Sequence, residues 1–170
     1  HASYRRQRQM CIRDSYETMQ RHLKTGYLAY AENLSSNQRP VFIAPVGMAF
    51  ENIFFSISNA TDDGSIFSDL YASDGSHPSI QGTYLAACVI HVSVTGESSV
   101  GLPTTGGMNQ SRTLELQQWA DHTVFNTSGL TYPWQLEDLG VEFGVDSGSI
   151  FNIDPGLTVG IATNLSLIHI

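Results

Sequence analysis

Residues 73–85 read Ser73-Asp74-Gly75-Ser76-His77-Pro78-Ser79-Ile80-Gln81-Gly82-Thr83-Tyr84-Leu85. An Asp stands three residues before a His on a Gly-containing loop, and a helix begins directly afterwards. At this spacing the two side chains can meet. If the Asp74 carboxylate accepts the Nδ1 proton of His77, it fixes the imidazole tautomer and leaves Nε2 to act as general base toward a hydroxyl nucleophile. Pro78 fixes its own φ and drives His77 toward extended backbone, so the imidazole is carried on a defined turn. Ser79 is placed to cap the helix.

With His-Pro-Ser, Gly82 and an apolar helix attached, this block resembles the last conserved block of the SGNH, or GDSL-like, hydrolase family. That block is Asp-x-x-His followed by Pro and a helix with a small-residue face, here Asp74, His77, Pro78 and Tyr84-Leu85-Ala86-Ala87. The resemblance covers roughly Tyr16 to Ser128. It implies a three-layer α/β/α, flavodoxin-like domain and a serine esterase acting on acyl or carbohydrate esters. His77 would be the base and Asp74 its orienting acid, and no cofactor is implied.

The same family takes its nucleophile from Gly-Asp-Ser and its oxyanion donors from a Gly loop and an Asn block. The chain contains neither Gly-Asp-Ser nor Gly-x-Asn-Asp. Ser65 and Ser76 follow glycines, but each reads as a loop residue after a helix and not as a strand-to-helix elbow. The expectation is therefore a fragment of an SGNH-type hydrolase, incomplete at its N-terminus, with the Asp-His pair but without its serine. The competing reading is a non-catalytic β-rich binding or adhesion module in which the Asp-His loop is structural.

Composition allows one ordinary domain: in 170 residues, 41% are hydrophobic and 10% aromatic, enough for a core. The formal charge of −8 is unevenly spread. Of eight basic residues, seven precede Pro40, and from there onward thirteen Asp or Glu face the single Arg112. Such a surface repels phosphate backbones, which argues against nucleic acid as a partner. No apolar run reaches the ~18 residues of a membrane span. Cys11 and Cys88 are too few for a disulfide framework, and Cys88 reads as a buried helix thiol. An acidic esterase with an appended β segment suggests an extracellular or periplasmic setting, while oligomeric state is not legible.

Along the chain, residues 1–15 lack periodicity and differ in composition from the rest of the sequence. RQMCIRDS near this end and LSLIHI at the other resemble translated sequencing-adapter sequence, so residues 1–15 are set apart as a non-native or disordered arm; a natural basic arm and a natural last strand are the alternative. The opening has no apolar signal-peptide core, and the chain reads as an internal piece. From Ser15 as N-cap, Tyr16, Met19, Leu23, Tyr27, Ala31 and Leu34 keep one helical face. Pro40 to Val46 is a short apolar run bounded by Pro, the pattern of a parallel strand buried on both faces, with Gly47 breaking it.

Met48 to Asn59 reads as a helix, Ile66 to Leu70 as a helical turn, Ser79 to about Val94 as a helix apolar nearly all round, and Thr113 to Phe125 as another. Residues 16–128 are thus assigned to the hydrolase-like domain. Residues 129–170, with Val141–Val145, Ser149–Ile153 and Leu157–Ile161 separated by Asp-Ser-Gly and Asp-Pro-Gly, read as the start of a β-rich segment.

Other candidate groups are weaker. Asp74, His77 and His91 are metal-ligand types, but no His-x-x-x-His or Cys-x-x-Cys is present, and His91 and His122 read as helix-surface residues. Trp119, Tyr132 and Trp134 could line a carbohydrate site, although core packing is the commoner role. The Asn-x-Ser/Thr sites at Asn33, Asn59, Asn109, Asn126 and Asn164 act only in a glycosylating host.

Overall fold

A computed structural model describes the chain at residues 2–36, 40–75 and 77–137, and its side chains within those ranges from residue 16 onward. The described residues form five α-helices: α1 Ala2–Leu34, α2 Val46–Ser56, α3 Ile80–Thr95, α4 Gln110–Asn126 and α5 Pro133–Glu137, with a one-turn 3-10 helix at Ser68–Leu70 between α2 and α3. The expected start of the first helix at Ser15 is overtaken. Arg, Gln, Met and Ala in the opening tract are good helix formers, so the backbone helix propagates back to Ala2 without an apolar face to specify it.

α3 and α4 form the most extensive helix pair, α2 packs across both, and α1 joins through α2. In α3 the buried positions are Gly82, Tyr84, Leu85, Cys88, Val89, Val92 and Ser93, a broad stripe at i, i+3, i+4 and i+7. Ile80 and Val94 face solvent, so the helix is covered on one side and not all round. In α4 the buried stripe is Thr113, Leu116, Gln117, Ala120, Thr123 and Val124, whereas Leu114, an expected core position, is exposed. The buried polar members of that stripe are satisfied. Gln117 Nε2 donates to the Tyr84 hydroxyl at 2.8 Å and to the Leu102 carbonyl at 2.9 Å, and Thr123 Oγ1 donates to Trp119 O and accepts Asn52 Nδ2.

A second nucleus of the core is aromatic. Tyr16 of α1, Phe50 and Phe54 of α2, and Phe67 and Tyr71 flanking the 3-10 turn stand in ring contact, with Tyr16–Phe54 at 4.5 Å, Phe54–Phe67 at 4.9 Å and Phe67–Tyr71 at 5.4 Å. The last two are edge-to-face, and such pairs add about 0.5–1.5 kcal/mol each beyond their area burial. This cluster anchors the chain just before the Asp74 loop.

The α/β/α three-layer expectation is overturned: the chain is mostly helical, and the described residues contain no β-sheet. The decisive segment is Pro40 to Val46. Residues 40–45 form no strand, the Val46 amide bonds to Ala44 O at 2.8 Å, and Pro45 turns the chain into α2, which begins at Val46 and carries the buried Gly47 inside it. An apolar run is compatible with either a buried strand or a buried helix start, and a strand requires a ladder partner. Among the described residues the burial is supplied by helices instead.

Of the expected β-rich segment at 129–170, residues 133–137 are helical, and the three β-prone runs lie outside the described residues. Within the described residues, no helix is long and apolar enough to cross a membrane.

Candidate functional site: the Asp74–His77 loop

The loop is closed by its own backbone before any side chain acts. Ser79 N donates to Leu70 O at 2.8 Å and Ala72 N to His77 O at 2.8 Å, with Tyr71 and Pro78 opposed in an isolated antiparallel bridge between those two bonds. The Gly75 amide donates to Ala72 O at 2.9 Å, and Gly75 takes φ +68°, the left-handed conformation that glycine adopts at least cost. Tyr71 ties the incoming limb to the aromatic cluster, at 5.8 Å from Phe50.

Within this frame Asp74 receives His77 twice. Its Oδ1 accepts the His77 backbone N–H at 3.0 Å, and its Oδ2 lies 2.6 Å from His77 Nδ1. The backbone bond fixes the carboxylate, and the carboxylate then fixes the ring; Nδ1 bears the proton in any tautomer that makes this contact a hydrogen bond with the ionised acid. The side chains are 50% and 60% exposed, so the contact orients the imidazole more than it stabilises the fold. The structure thus brings together the two residues that the sequence singles out, in the arrangement that their spacing allows.

The helix behind the loop is held as closely. Ser79 Oγ accepts the amides of Gln81 and Gly82 at 3.1 and 3.3 Å and donates to the Asp69 carbonyl at 2.5 Å. Gly82 lies against the preceding limb: a Cβ there would stand 2.2 Å from Leu70 O, which leaves room for hydrogen alone. At the far end α3 stops at Gly96, φ +71°, whose own Cβ position is occupied by the Trp134 ring.

Ser79 and Ser65 are both held in structural hydrogen bonds. Both donor and acceptor capacities of Ser79 are engaged. Ser65 is buried, donates to Ala60 O at 2.6 Å and accepts Ser68 N. Ser76 lies outside the described residues. Buried thiol chemistry is not offered either, because desolvation pushes the Cys88 thiol up from its ordinary range, away from the thiolate.

The remaining sequence candidates stand apart from the loop. His91 is half-buried on α3, and His122 packs edge-on against Trp119 at 5.7 Å. Among the described residues no group of three or more His, Cys, Asp or Glu is gathered as metal ligands. Tyr132 and Trp134 stack in parallel at 5.8 Å and pack against the core, with the Trp134 ring over Gly96 at the end of α3. Sequence reasoning missed Asp69, Arg112 and the role of Gly82. Arg112 left one signal, its isolation as the lone cation among thirteen acidic residues after Pro40.

No family model, curated protein or solved structure matches the chain.

Proposed function

We propose that this chain carries the base and the orienting acid of a serine ester hydrolase of the SGNH type. The observation that carries the reading is the double contact of Asp74 with His77, at 3.0 Å to the backbone N–H and 2.6 Å to Nδ1. It leaves Nε2 as the nitrogen on which a hydroxyl proton would be received. The substrate class is acyl or carbohydrate esters, and the setting extracellular or periplasmic. The reading concerns the chemistry of the loop; the architecture around it is helical.

In the proposed reaction a serine hydroxyl attacks the ester carbonyl while His77 Nε2 takes its proton. The leaving alcohol departs with that proton, giving an acyl-enzyme. Water then attacks, again losing a proton to Nε2, and the carboxylic acid is released as the serine is reprotonated. Asp74 stays ionised and supports the imidazolium in both halves. With no Gly-Asp-Ser in the chain, the serine comes from outside these residues.

A second reading has its own support: an Asp that accepts an amide three residues on also stabilises a loop, whatever the ring does. Recovering the upstream coding sequence separates the two. A Gly-Asp-Ser after an apolar strand, together with loss of turnover in the longer protein on His77→Ala, supports the hydrolase. Full activity after His77→Ala would put the binding module in its place.

A further inference from the structure

Arg112 is the only Lys or Arg after Pro40, and α4 brings it to Asp69, five residues before Asp74. Its Nη2 lies 3.2 Å from Asp69 Oδ2 and its Nη1 3.1 Å from Glu115 Oε2, with the guanidinium side chain only 22% exposed. Asp69 faces two ways. Its carboxylate holds Arg112, and its carbonyl accepts the Ser79 hydroxyl that caps α3.

Asp69 also precedes Leu70, whose carbonyl accepts Ser79 N and closes the loop. One ion pair therefore links α4, the incoming limb of the loop and the first turn of α3. All three determine where His77 stands.

From this linkage we infer that Arg112 and Asp69 are positioning residues for His77. Their pair clamps the base of the loop so that Nδ1 stays on Asp74 and Nε2 keeps one direction. Charge is the economical device here, because a bidentate-capable guanidinium held by two carboxylates has few alternative geometries. The consequence for catalysis rests on the ester-hydrolase reading; the clamp itself does not.

The test uses the full 170-residue chain with Arg112→Gln and, independently, Asp69→Asn. Two quantities are read: the ¹⁵N shifts of the His77 ring, which report its tautomer, and the exchange of the Ala72 and Ser79 amides relative to buried core amides such as Val89 and Leu116. Both variants are expected to raise exchange of the two loop amides about fivefold relative to the core, the scale of a partly exposed ion pair. They are also expected to shift His77 measurably away from the Nδ1–H form. A general loss of stability would raise core exchange equally and leave the ratio unchanged.

An unchanged ratio with an unchanged tautomer in both variants overturns the clamp. If unmodified protein already holds His77 as Nε2–H, the hydrolase reading fails, and the clamp is decided by the exchange ratio alone.

Discussion

The Ser79 hydroxyl donates to the Asp69 carbonyl at 2.5 Å while accepting the Gln81 and Gly82 amides, so a single oxygen joins the loop that carries His77 to the helix beyond it. Helix α3 is thus not merely adjacent to the Asp-His block; its N-cap is one of the bonds that shape the block.

Replacing that residue separates its two functions. Ser79→Ala should cost about 1 kcal/mol, the usual value of an N-cap. Ser79→Asp should recover less than capping alone predicts, because a carboxylate cannot donate to Asp69 O and stands near the Asp69 side chain. Urea titration of the three proteins checks the order Ser, Asp, Ala or Ser, Ala, Asp. Recovery by Asp to the Ser value would show that the Asp69 bond contributes nothing.

Gly82→Ala should be more damaging than a glycine-to-alanine change in a helix normally is. Alanine is the better helix former, yet its methyl would meet Leu70 O at 2.2 Å, and that oxygen is a backbone acceptor already holding Ser79 N. A net loss of about 1–3 kcal/mol is expected. The His77 ring signals should move with it. Higher stability in the variant would mean that the loop limb yields at little cost.

On the ester-hydrolase reading, Asp74→Asn in a protein that also supplies the serine should leave the fold intact and lower kcat by about 10²–10⁴, since an amide favours the wrong tautomer and cannot support the imidazolium. His77→Ala should remove nearly all turnover. The 170-residue chain itself should show no stoichiometric labelling by a fluorophosphonate. Stoichiometric labelling would identify a serine in this chain as nucleophile, with Ser76 the first to be tested.

Alkaline pH should unfold the protein through its buried phenols. Desolvation pushes Tyr132 up to about 12 and moves Tyr16 and Tyr71 higher still, whereas the unfolded chain ionises near 10. Because the folded values are raised, the stability they confer is complete below about pH 10 and is lost as pH climbs through the folded values. The urea midpoint at pH 11 should fall below that at pH 8. Tyr132→Phe should reduce the fall and change stability at pH 8 by no more than about 1 kcal/mol, because the Tyr132 hydroxyl has no hydrogen-bond partner among the described residues. A large loss at pH 8 would show that this hydroxyl is bonded.

Sequence alone specifies the features whose partners lie within a few residues. The meeting of Asp74 and His77, the Ser79 cap, the run of α3 to a glycine terminus and the one-turn helix before the loop depend on contacts at i+2 to i+4, and spacing is enough for these. Packing decides wherever the interaction is remote. The apolar stretch Pro40 to Val46 satisfies the pattern of a buried strand, but a strand exists only if another chain segment supplies its ladder; here helix packing receives Pro45 and Val46. Gly82 shows its necessity only when Leu70 O is seen against it. Arg112, an isolated charge in the sequence, acquires its place through an Asp 43 residues away, because which carboxylate a long flexible cation meets is set by how α4 packs on α3 and not by any local rule.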